Sequence, residues 1–351
     1  MKLMFCPDKP YLKWCRERDG VYIERRQAFR QGFQDNILEE IEDQKAVSGA
    51  GYMLFHGGTE IEDEITLVSD NTMQAIEKSV KFLPEENNIT LRTLKHFRKK
   101  FPDIPHYLFS DTAFFNSLPK TASTYAVPYE LTNKGIRRYG GYGICHSRAY
   151  EQALKRIPDC KIIKAVSIYV GSRTNVAAID KGIPLETSIG FTNLEGIPTL
   201  RSCGDIDPTI VFQLKAEGLS FEDINRLLTD KSGFAGLTGM NPDIKDIVGR
   251  KSCHALDEAR NIYYYSVIKQ IGSSLSVMGG ADTLIVTSEN EELARLFIDS
   301  LCHRLKFPKL NERKTAAVGA KVKNLTGKGS DLNIIFVKYD IWPIMSSIIK
   351  V

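Results

Sequence analysis

The residues with the clearest capacity for chemistry lie between Leu185 and Pro208, in the sequence LETSIGFTNLEGIPTLRSCGDIDP. Three glycines, two prolines and several hydroxyl and acidic side chains give this stretch the composition of a long ordered loop, which is often functional. Asp207 is placed to cap a helix that begins at Pro208. A helix start that follows Gly204 and is flanked by Arg201 predicts a phosphate-binding site. The alternative is a capped turn that binds no ligand, which would have the same residues.

Length and composition indicate what surrounds this loop. At 351 residues the chain suits two domains, and 42% hydrophobic with 26% charged residues is ordinary soluble usage. The net charge is +4, and short basic clusters at residues 25–26, 98–100 and 137–138 accompany no nucleic-acid-binding motif. No apolar run approaches a bilayer span, and the N-terminus lacks a signal pattern. We therefore expect a cytoplasmic protein with no nucleic-acid or membrane partner.

The seven cysteines are dispersed and show no zinc-binding spacing, so reduced thiols are expected. Apolar periodicity predicts both strands and helices. The strands are predicted at residues 2–5, 20–29, 51–55, 106–109, 160–170, 175–179, 283–286 and 333–338. The helices are predicted at residues 70–83, 91–100, 147–156, 208–216, 220–229, 254–278 and 289–305.

The pattern ETSxGFTxLEG, followed by an arginine and GDIDP, resembles the acetate kinase family, the ATP-dependent carboxylate kinases of the actin, hexokinase and Hsp70 superfamily. Other matching pieces occur in the family's order and extend the resemblance over roughly residues 50 to 290. They are HGG at 56–58, DTAF at 111–114, YAVPYEL at 125–131, GIRRYG at 135–140, KSG at 231–233, TGxxxDxxD at 238–246 and GGAD at 279–282.

The resemblance implies an α/β fold of two duplicated ribonuclease-H-like (actin-like ATPase) domains with an interdomain cleft. We predict a substrate-side domain over residues 1–146 and a nucleotide-side domain over residues 147–351, whose final helix is shortened. The family implies ATP and Mg²⁺ as cofactors, a small carboxylate or phosphate ligand, and a homodimer.

Site residues follow from the matching motifs. The resemblance assigns catalysis to Asp111, Arg201 and His146, with Asp111 also the candidate Mg²⁺ ligand. It assigns substrate binding to His56 and Tyr142. It assigns nucleotide binding to Gly171, Ser172, Thr174, Asp243 and Gly279.

Several positions depart from the family's pattern. The turn over residues 6–18, where the family has a glycine-rich phosphate loop, contains two prolines and no glycine. Met53 stands where an arginine binds the substrate carboxyl, and Glu86 and Tyr142 stand where histidines are usual. In the second phosphate loop, Arg173 replaces a glycine. These changes remove cations and amide donors that phosphoryl transfer requires.

The nucleotide side departs too, because the glycines that follow Val286 in the family are absent and its metal-binding acid falls near Ile341 or Trp342. Arg201 lies one residue upstream of the catalytic position, so either the loop bulges or Ser202 occupies that position. Two hypotheses follow. The protein is a phosphotransferase with weak or absent acetate kinase activity and an altered carboxylate substrate, or it is a pseudokinase with a binding or regulatory role.

Overall fold

The computed structural model describes residues 1–8, 10–156, 164–249, 254–313 and 320–350. These residues form two six-stranded mixed sheets and divide into two compact units. Unit 1 contains Met1–Asn116 and Asp340–Val351, and unit 2 contains Ser117–Tyr339. The predicted boundary between residues 146 and 147 differs from this division, because it lies inside a single helix, Gly143–Arg156.

The strands are β1 Lys2–Asp8, β2 Tyr11–Arg18, β3 Val21–Ala28, β4 Gly49–Leu54, β5 Ile65–Leu67, β6 His106–Ser110, β7 Lys164–Val170, β8 Thr174–Asp180, β9 Ile183–Thr187, β10 Thr283–Ser288, β11 Val322–Asn324 and β12 Asn333–Lys338. The helices are α1 Phe33–Glu39, α2 Asp70–Ser79, α3 Pro84–Lys100, α4 Lys120–Ser123, α5 Tyr129–Asn133, α6 Gly143–Arg156, α7 Thr209–Ala216, α8 Phe221–Asp230, α9 Gly233–Thr238, α10 Ile244–Val248, α11 His254–Met278, α12 Glu291–Arg304 and α13 Ile341–Ile348.

The sheet of unit 1 has the order β3-β2-β1-β4-β6-β5. Strands β1, β4 and β6 are parallel, whereas β1, β2 and β3 form an antiparallel meander. The predicted turn over residues 6–18 is wrong, because β1 continues to Asp8 and β2 begins at Tyr11. Burial of Leu12 and Trp14 on the same face of β2 is the pattern of a half-buried strand, and it favours continued pairing over a loop.

Helix α3 begins at Pro84 and not near Leu91, where the sequence pattern placed its start. Proline suits the first helical turn, and Glu85 and Glu86 in that turn are stabilised by the helix dipole. Asn87 is fully buried, and its side-chain amide donates to the His56 carbonyl at 2.8 Å. Glu86, which stands where the family usually has a histidine, therefore lies in the first turn of α3.

The sheet of unit 2 has the order β11-β12-β10-β7-β8-β9 and repeats the plan of unit 1. Strands β7, β10 and β12 are parallel, and β7, β8 and β9 form an antiparallel meander. Helices α6, α11 and α12 pack against this sheet. The predicted strand at 160–170 corresponds to β7, with residues 160–163 outside the described part. The predicted long helix at 254–278 is confirmed as α11.

Helix α13, the final helix, belongs to unit 1 and not to the nucleotide-side domain as expected. The Asp340 carboxylate caps it by accepting from the Trp342 amide at 3.2 Å. The Trp342 indole donates to Glu24 at 2.7 Å, and Lys2 donates to the Ser346 carbonyl at 2.6 Å. Within the described ranges, no helix combines the length and apolarity that crossing a membrane requires.

Candidate functional site

The loop over residues 185–208 is held together by hydrogen bonds between its two glycine motifs. The Gly196 amide donates to the Asp205 carboxylate at 2.7 Å, and the Asp205 amide donates back to the Gly196 carbonyl at 2.9 Å. Gly204 has a φ of 70°, and a Cβ there would lie 2.5 Å from the Gly196 carbonyl oxygen. Only glycine permits this approach, so the LEG and GDIDP motifs form one rigid unit.

The KSG motif joins the same loop. The Ser232 amide donates to the Arg201 carbonyl at 2.9 Å, and the Phe234 amide donates to the Thr199 carbonyl at 3.0 Å. Gly233 has a φ of 61°, and a Cβ would collide with the Thr199 carbonyl oxygen. Two motifs about 30 residues apart in sequence therefore form a single loop cluster through backbone hydrogen bonds.

The start of α7 carries its own anion. The Asp207 carboxylate accepts from the Thr209 amide at 2.8 Å and from the Thr209 hydroxyl at 2.7 Å. These hydrogen bonds, the hydroxyl first, lower the pKa of Asp207. Asp207 therefore binds the first helical amide, although Pro208 and not Asp207 is the N-cap residue of α7. The phosphate seat at this helix start stays a prediction, and the Asp207 carboxylate would compete with a phosphate there.

Arg201 points towards solvent. Its side chain is exposed, and Nη2 donates to the Asn241 side-chain oxygen at 2.8 Å. Ser202, the alternative occupant of the catalytic position, is buried, and its hydroxyl hydrogen-bonds the Thr199 hydroxyl at 2.7 Å. The Arg201 guanidinium therefore points away from the loop cluster, and Ser202 places a hydroxyl there and no cation.

Arg173 reaches this cluster instead. It lies in the β7–β8 turn, and its Nη1 donates to the Asn193 carbonyl at 3.0 Å and to the Ser202 hydroxyl at 3.4 Å. In the resemblance to the family, Arg173 is notable only because it replaces a glycine. Its contact with Ser202 depends on how two loops meet in space, and no local sequence signal marks that contact.

The predicted nucleotide-binding residues of the β7–β8 turn have different surroundings. The Gly171 amide donates to the Arg173 carbonyl at 3.0 Å, and a Cβ on Gly171 would lie 2.6 Å from the Tyr169 hydroxyl oxygen. Ser172 is exposed. Thr174 is buried, and its hydroxyl hydrogen-bonds that of Tyr263 at 2.8 Å. Gly171 and Ser172 thus remain candidates for ligand contact, whereas the Thr174 hydroxyl is engaged in the core.

His146 is fully buried beneath this turn. Its Nε2 donates to the Asn175 side-chain oxygen at 3.2 Å, which leaves Nδ1 to accept from the Ser167 hydroxyl at 2.8 Å. Burial lowers the pKa of His146 to about 4, so the ring is neutral at pH 7. The Asn175 amide in turn donates to the Gly141 carbonyl at 3.2 Å. The catalytic assignment of His146 stays a prediction, and its geometry fits a positioning role.

Tyr142 has a left-handed backbone, with a φ of 59°, which is uncommon outside glycine and asparagine. Its ring stacks on Tyr169, with 4.5 Å between centroids and 21° between planes. Tyr142 thus lies near the β7–β8 turn that carries Gly171, where Tyr169 also contacts the glycine. Substrate binding by Tyr142 stays a prediction.

Unit 1 brings His56 and Asp111 to neighbouring strand ends. Leu54 at the end of β4 pairs with Ser110 at the end of β6, and these parallel strands share one edge. The carboxyl edge of parallel strands is the usual ligand-binding edge of α/β sheets. Asp111 is 4% exposed, and its amide donates to the Leu54 carbonyl at 2.9 Å.

His56 packs into the interior of unit 1. Its ring stacks on Phe82 at 4.7 Å and is 2% exposed, and its Nδ1 accepts from the Gly58 amide at 3.1 Å. This contact fixes the neutral tautomer with Nδ1 as an acceptor. Substrate binding by His56 stays a prediction.

Met53, at the position of the family's carboxyl-binding arginine, is 2% exposed within β4. Its carbonyl accepts from the Thr90 hydroxyl at 2.7 Å. A buried thioether supplies neither charge nor a hydrogen-bond donor to a carboxylate. This position therefore cannot bind acetate in the way that an arginine would.

Asp243 and Gly279 have local structural roles at helix ends. The Asp243 carboxylate accepts from the Lys245 amide at 2.9 Å and caps α10. Gly279 follows α11 with a φ of 66°, and Gly280 donates from its amide to the Leu275 carbonyl at 2.8 Å. These contacts explain the residue types without a ligand, and the nucleotide-binding assignments stay predictions.

Unit 2 contains a cavity of about 650 Å³ between the 186–208 region and α11. Arg138 lies in its wall and is paired with Glu195 at 2.7 Å and with Glu186 at 3.9 Å. Asp205 adds a further carboxylate to the lining, and the Tyr125 hydroxyl donates to Glu195. Burial raises the pKa of Tyr125. With more carboxylates than cations, this cavity does not suit a phosphate.

The described residues contain no cluster of three or more histidine, cysteine or acidic side chains arranged to hold a metal ion. Mg²⁺ needs no such cluster, since it keeps several waters and binds through one or two carboxylates and substrate phosphates. Asp111, a buried carboxylate at a strand end, fits that limited requirement.

The duplicated sheet plan and the interlocked glycine motifs define an α/β protein of the actin-like class. The chain belongs to the Acetokinase family, whose sequence profile matches residues 18–338. The acetate kinase of Natranaerobius thermophilus is 33% identical over 266 residues, which cover 72% of this chain and 66% of that protein. The acetate kinase of Halothermothrix orenii is 34% identical over 280 residues, which cover 78% and 70%.

Solved structures support the same fold. An acetate kinase from Entamoeba histolytica superimposes with a TM-score of 0.84 at 20% identity, covering 99% of this chain and 97% of that one. A propionate kinase from Francisella tularensis gives 0.81 at 22% identity, with 97% and 96% covered. The predicted two-domain α/β fold is confirmed. In sequence, the matches span about two thirds of the length of the curated relatives, 66% for the first.

Proposed function

We propose that this protein is a phosphotransferase that acts on a carboxyl acceptor, with weak or absent acetate kinase activity and a preference for a carboxylate other than acetate. The observation that carries the proposal is Met53, which buries a thioether where a relative would need a cation for acetate. Asp111 remains at the ligand-binding edge of unit 1, so part of the reaction chemistry is retained. Loss of one specific contact beside a retained carboxylate favours altered specificity.

In this proposal Asp111 orients the acceptor, and its carboxylate would hold Mg²⁺. The metal, when bound, neutralises phosphate charge during transfer. Ser172 offers an exposed hydroxyl to a phosphate, in a turn that Gly171 keeps close to Tyr169. The β1–β2 connection does not fit a glycine-rich triphosphate loop, because Asp8 and Tyr11 already pair and Pro10 between them lacks an amide hydrogen. We therefore assign no step to that connection.

The test combines binding with turnover. Calorimetry with Mg²⁺ and ATP should show saturable binding, and phosphorylation of a panel of short carboxylates should exceed that of acetate. Asp111→Asn should reduce turnover by about 100-fold or more, because an amide lacks the negative charge that would hold Mg²⁺ and orient the acceptor. Asp103→Asn makes the same chemical change at an exposed loop position and should leave turnover unchanged. Full activity of Asp111→Asn, or turnover highest with acetate, would contradict the proposal.

A second candidate function is that of a pseudokinase with a binding or regulatory role. The β1–β2 hairpin favours it, since continuous pairing replaces the loop that would present amides to a phosphate. This candidate predicts that calorimetry detects no binding of ATP with Mg²⁺, and that no acyl phosphate is formed or consumed. Measurable turnover abolished by Asp111→Asn would exclude it.

We also propose that the protein is a homodimer, as the resemblance implies. Exposed apolar side chains on the packed pair α7 and α8 support this proposal: Ile210 is 43% exposed, Phe212 69% and Phe221 61%. Apolar surface of this kind is commonly covered in an assembly. Light scattering on the purified chain should give twice the mass of 39.5 kDa, and Phe212→Asp should shift it to the monomer value. A monomeric wild-type protein at micromolar concentration would contradict dimerisation.

A further inference from the structure

The guanidinium of Arg173 is a cation without a matching anion. The side chain is half-buried, and no carboxylate in the described part of the chain lies within ion-pair distance of it. Arg138, on the neighbouring cavity wall, shows the usual arrangement, since two glutamates neutralise it. A charge partly withdrawn from water without a counter-ion is costly, so a half-buried cation of this kind favours an anionic ligand.

The hydrogen bonds of Arg173 leave part of its fork open. Only Nη1 is engaged, with the Asn193 carbonyl and the Ser202 hydroxyl. Nε and Nη2 have no acceptor among the described residues, and neither atom is sealed from solvent. A guanidinium held by one nitrogen presents its remaining donors in the geometry that matches two oxygens of a phosphate.

The flanking residues suit the same ligand. Ser172, next to Arg173 in the β7–β8 turn, is exposed, and its hydroxyl has no partner among the described residues. Gly171 keeps the turn close to Tyr169, where a side chain would collide. Arg201 also has no carboxylate within ion-pair distance among the residues that the structure describes, but its guanidinium is exposed and solvated by water. Of these two arginines, only Arg173 is both partly desolvated and uncompensated.

We infer that Arg173 binds a phosphate-type oxyanion in unit 2, in the role that the resemblance gives to Arg201. The site consists of the Arg173 guanidinium and the Ser172 hydroxyl, with Nη1 anchored to Asn193 and Ser202. This inference rests on the proposed function for the identity of the anion as a phosphoryl group. It assigns the cation lost at the catalytic position to a residue that enters from another loop.

The alternative is that Arg173 only holds two loops together and binds no ligand. Mutation can distinguish this structural role from the anion site. If Arg173 only joins two loops, its contact with Ser202 matters and its free donors do not. Ser202→Ala removes that contact and keeps the charge. The anion-site inference predicts that this variant binds phosphate within about threefold of the wild type, because the guanidinium keeps its charge, its free donors and its contact with the Asn193 carbonyl.

The experiment is calorimetry of the full chain with inorganic phosphate, in a buffer free of other oxyanions. Arg173→Gln should weaken binding by about 10-fold or more, because a charge-assisted contact is lost. Arg173→Lys should give an intermediate loss, since it keeps the charge without the fork. Arg226→Gln, at an exposed arginine of α8, is the matched control and should bind as the wild type does. Thermal unfolding of each variant establishes that it is folded.

Equal phosphate affinity of Arg173→Gln and the wild type would overturn the inference, as would a larger loss in Arg201→Gln or no phosphate binding by the wild type. If Arg173→Gln does not fold, Arg173→Lys decides: affinity equal to that of the wild type would overturn the anion site. The proposed function fails separately. Phosphate binding that depends on Arg173, with no phosphoryl transfer to any carboxylate, would support the site and contradict the phosphotransferase.

Discussion

His146 and Arg173 differ in burial, and therefore in whether a ligand can reach them. His146 lies in a closed network with Ser167 and Asn175, whereas Arg173 is only half-buried and reaches Ser202 from another loop. From residue type alone, His146 is a candidate catalytic residue, and Arg173 is a departure from the family's glycine. Accessibility, which the motif letters do not encode, favours a positioning role for His146 and leaves Arg173 open to a ligand.

The buried neutral state of His146 predicts a pH dependence of stability. The folded pKa of about 4 lies below the ordinary 6.5, so only the unfolded chain takes up the proton between these values. Stability is therefore complete above pH 6.5 and falls as the pH drops towards 4. The contribution is on the order of 3 kcal/mol.

Denaturant unfolding of the wild type and His146→Gln at pH 7 and pH 4.5 measures this effect. The variant loses hydrogen bonds at pH 7, but its free energy of unfolding should fall less between the two pH values than that of the wild type. Some dependence should remain, because burial also lowers the pKa of His106. Equal dependence in the two proteins would show that His146 does not contribute as stated.

Among the secondary-structure elements, the sequence predicted strands and long helices better than their starts. The sequence predicts a helix over residues 254–278, which form α11, because an unbroken 25-residue stretch without proline is too long for a strand. The resemblance implies a loop at residues 11–18, whereas these residues form β2, because their buried apolar side chains favour strand pairing. The apolar pattern predicts a helix start near Leu91, whereas α3 begins at Pro84, because its first turn is polar.

Helix α12 offers a test of capping at this scale. The Asn290 side chain accepts from the Leu293 amide at 3.2 Å and is the cap of the helix. Asn290→Ala should destabilise unit 2 by about 1 kcal/mol. The unfolding midpoint in a thermal scan should fall by about 2–4 °C. Asn290→Asp keeps an acceptor and should retain the midpoint, whereas an equal drop in both variants would argue against the capping role.

For the whole molecule, the duplicated α/β plan was predictable because motifs spread over most of the chain match one family in order. Both sheets place an antiparallel meander beside parallel strands, as that resemblance implies. The division between the units was not predicted, since α13 returns to unit 1 and residues 117–146 belong to unit 2. Such long-range packing depends on contacts between segments far apart in sequence.

The candidate site was predictable only in part. Asp111 and His56 follow neighbouring strands, so their positions at one edge could be expected from motif and strand order. The direction of Arg201 and the reach of Arg173 could not, because both depend on how the 193–205 loop meets the β7–β8 turn. The contact of the Asp207 carboxylate with the start of α7 was expected from the sequence, whereas the phosphate seat predicted there stays a prediction.

The most direct measurement of the central claim is acetyl phosphate formation from ATP and acetate, assayed beside the acetate kinase of Halothermothrix orenii under identical conditions. Met53 supplies no cation for acetate, and losing such a contact costs about 100-fold or more in kcat/KM. We expect at least that deficit for acetate, together with a higher kcat/KM for another short carboxylate. Acetate turnover within tenfold of the relative would contradict this account.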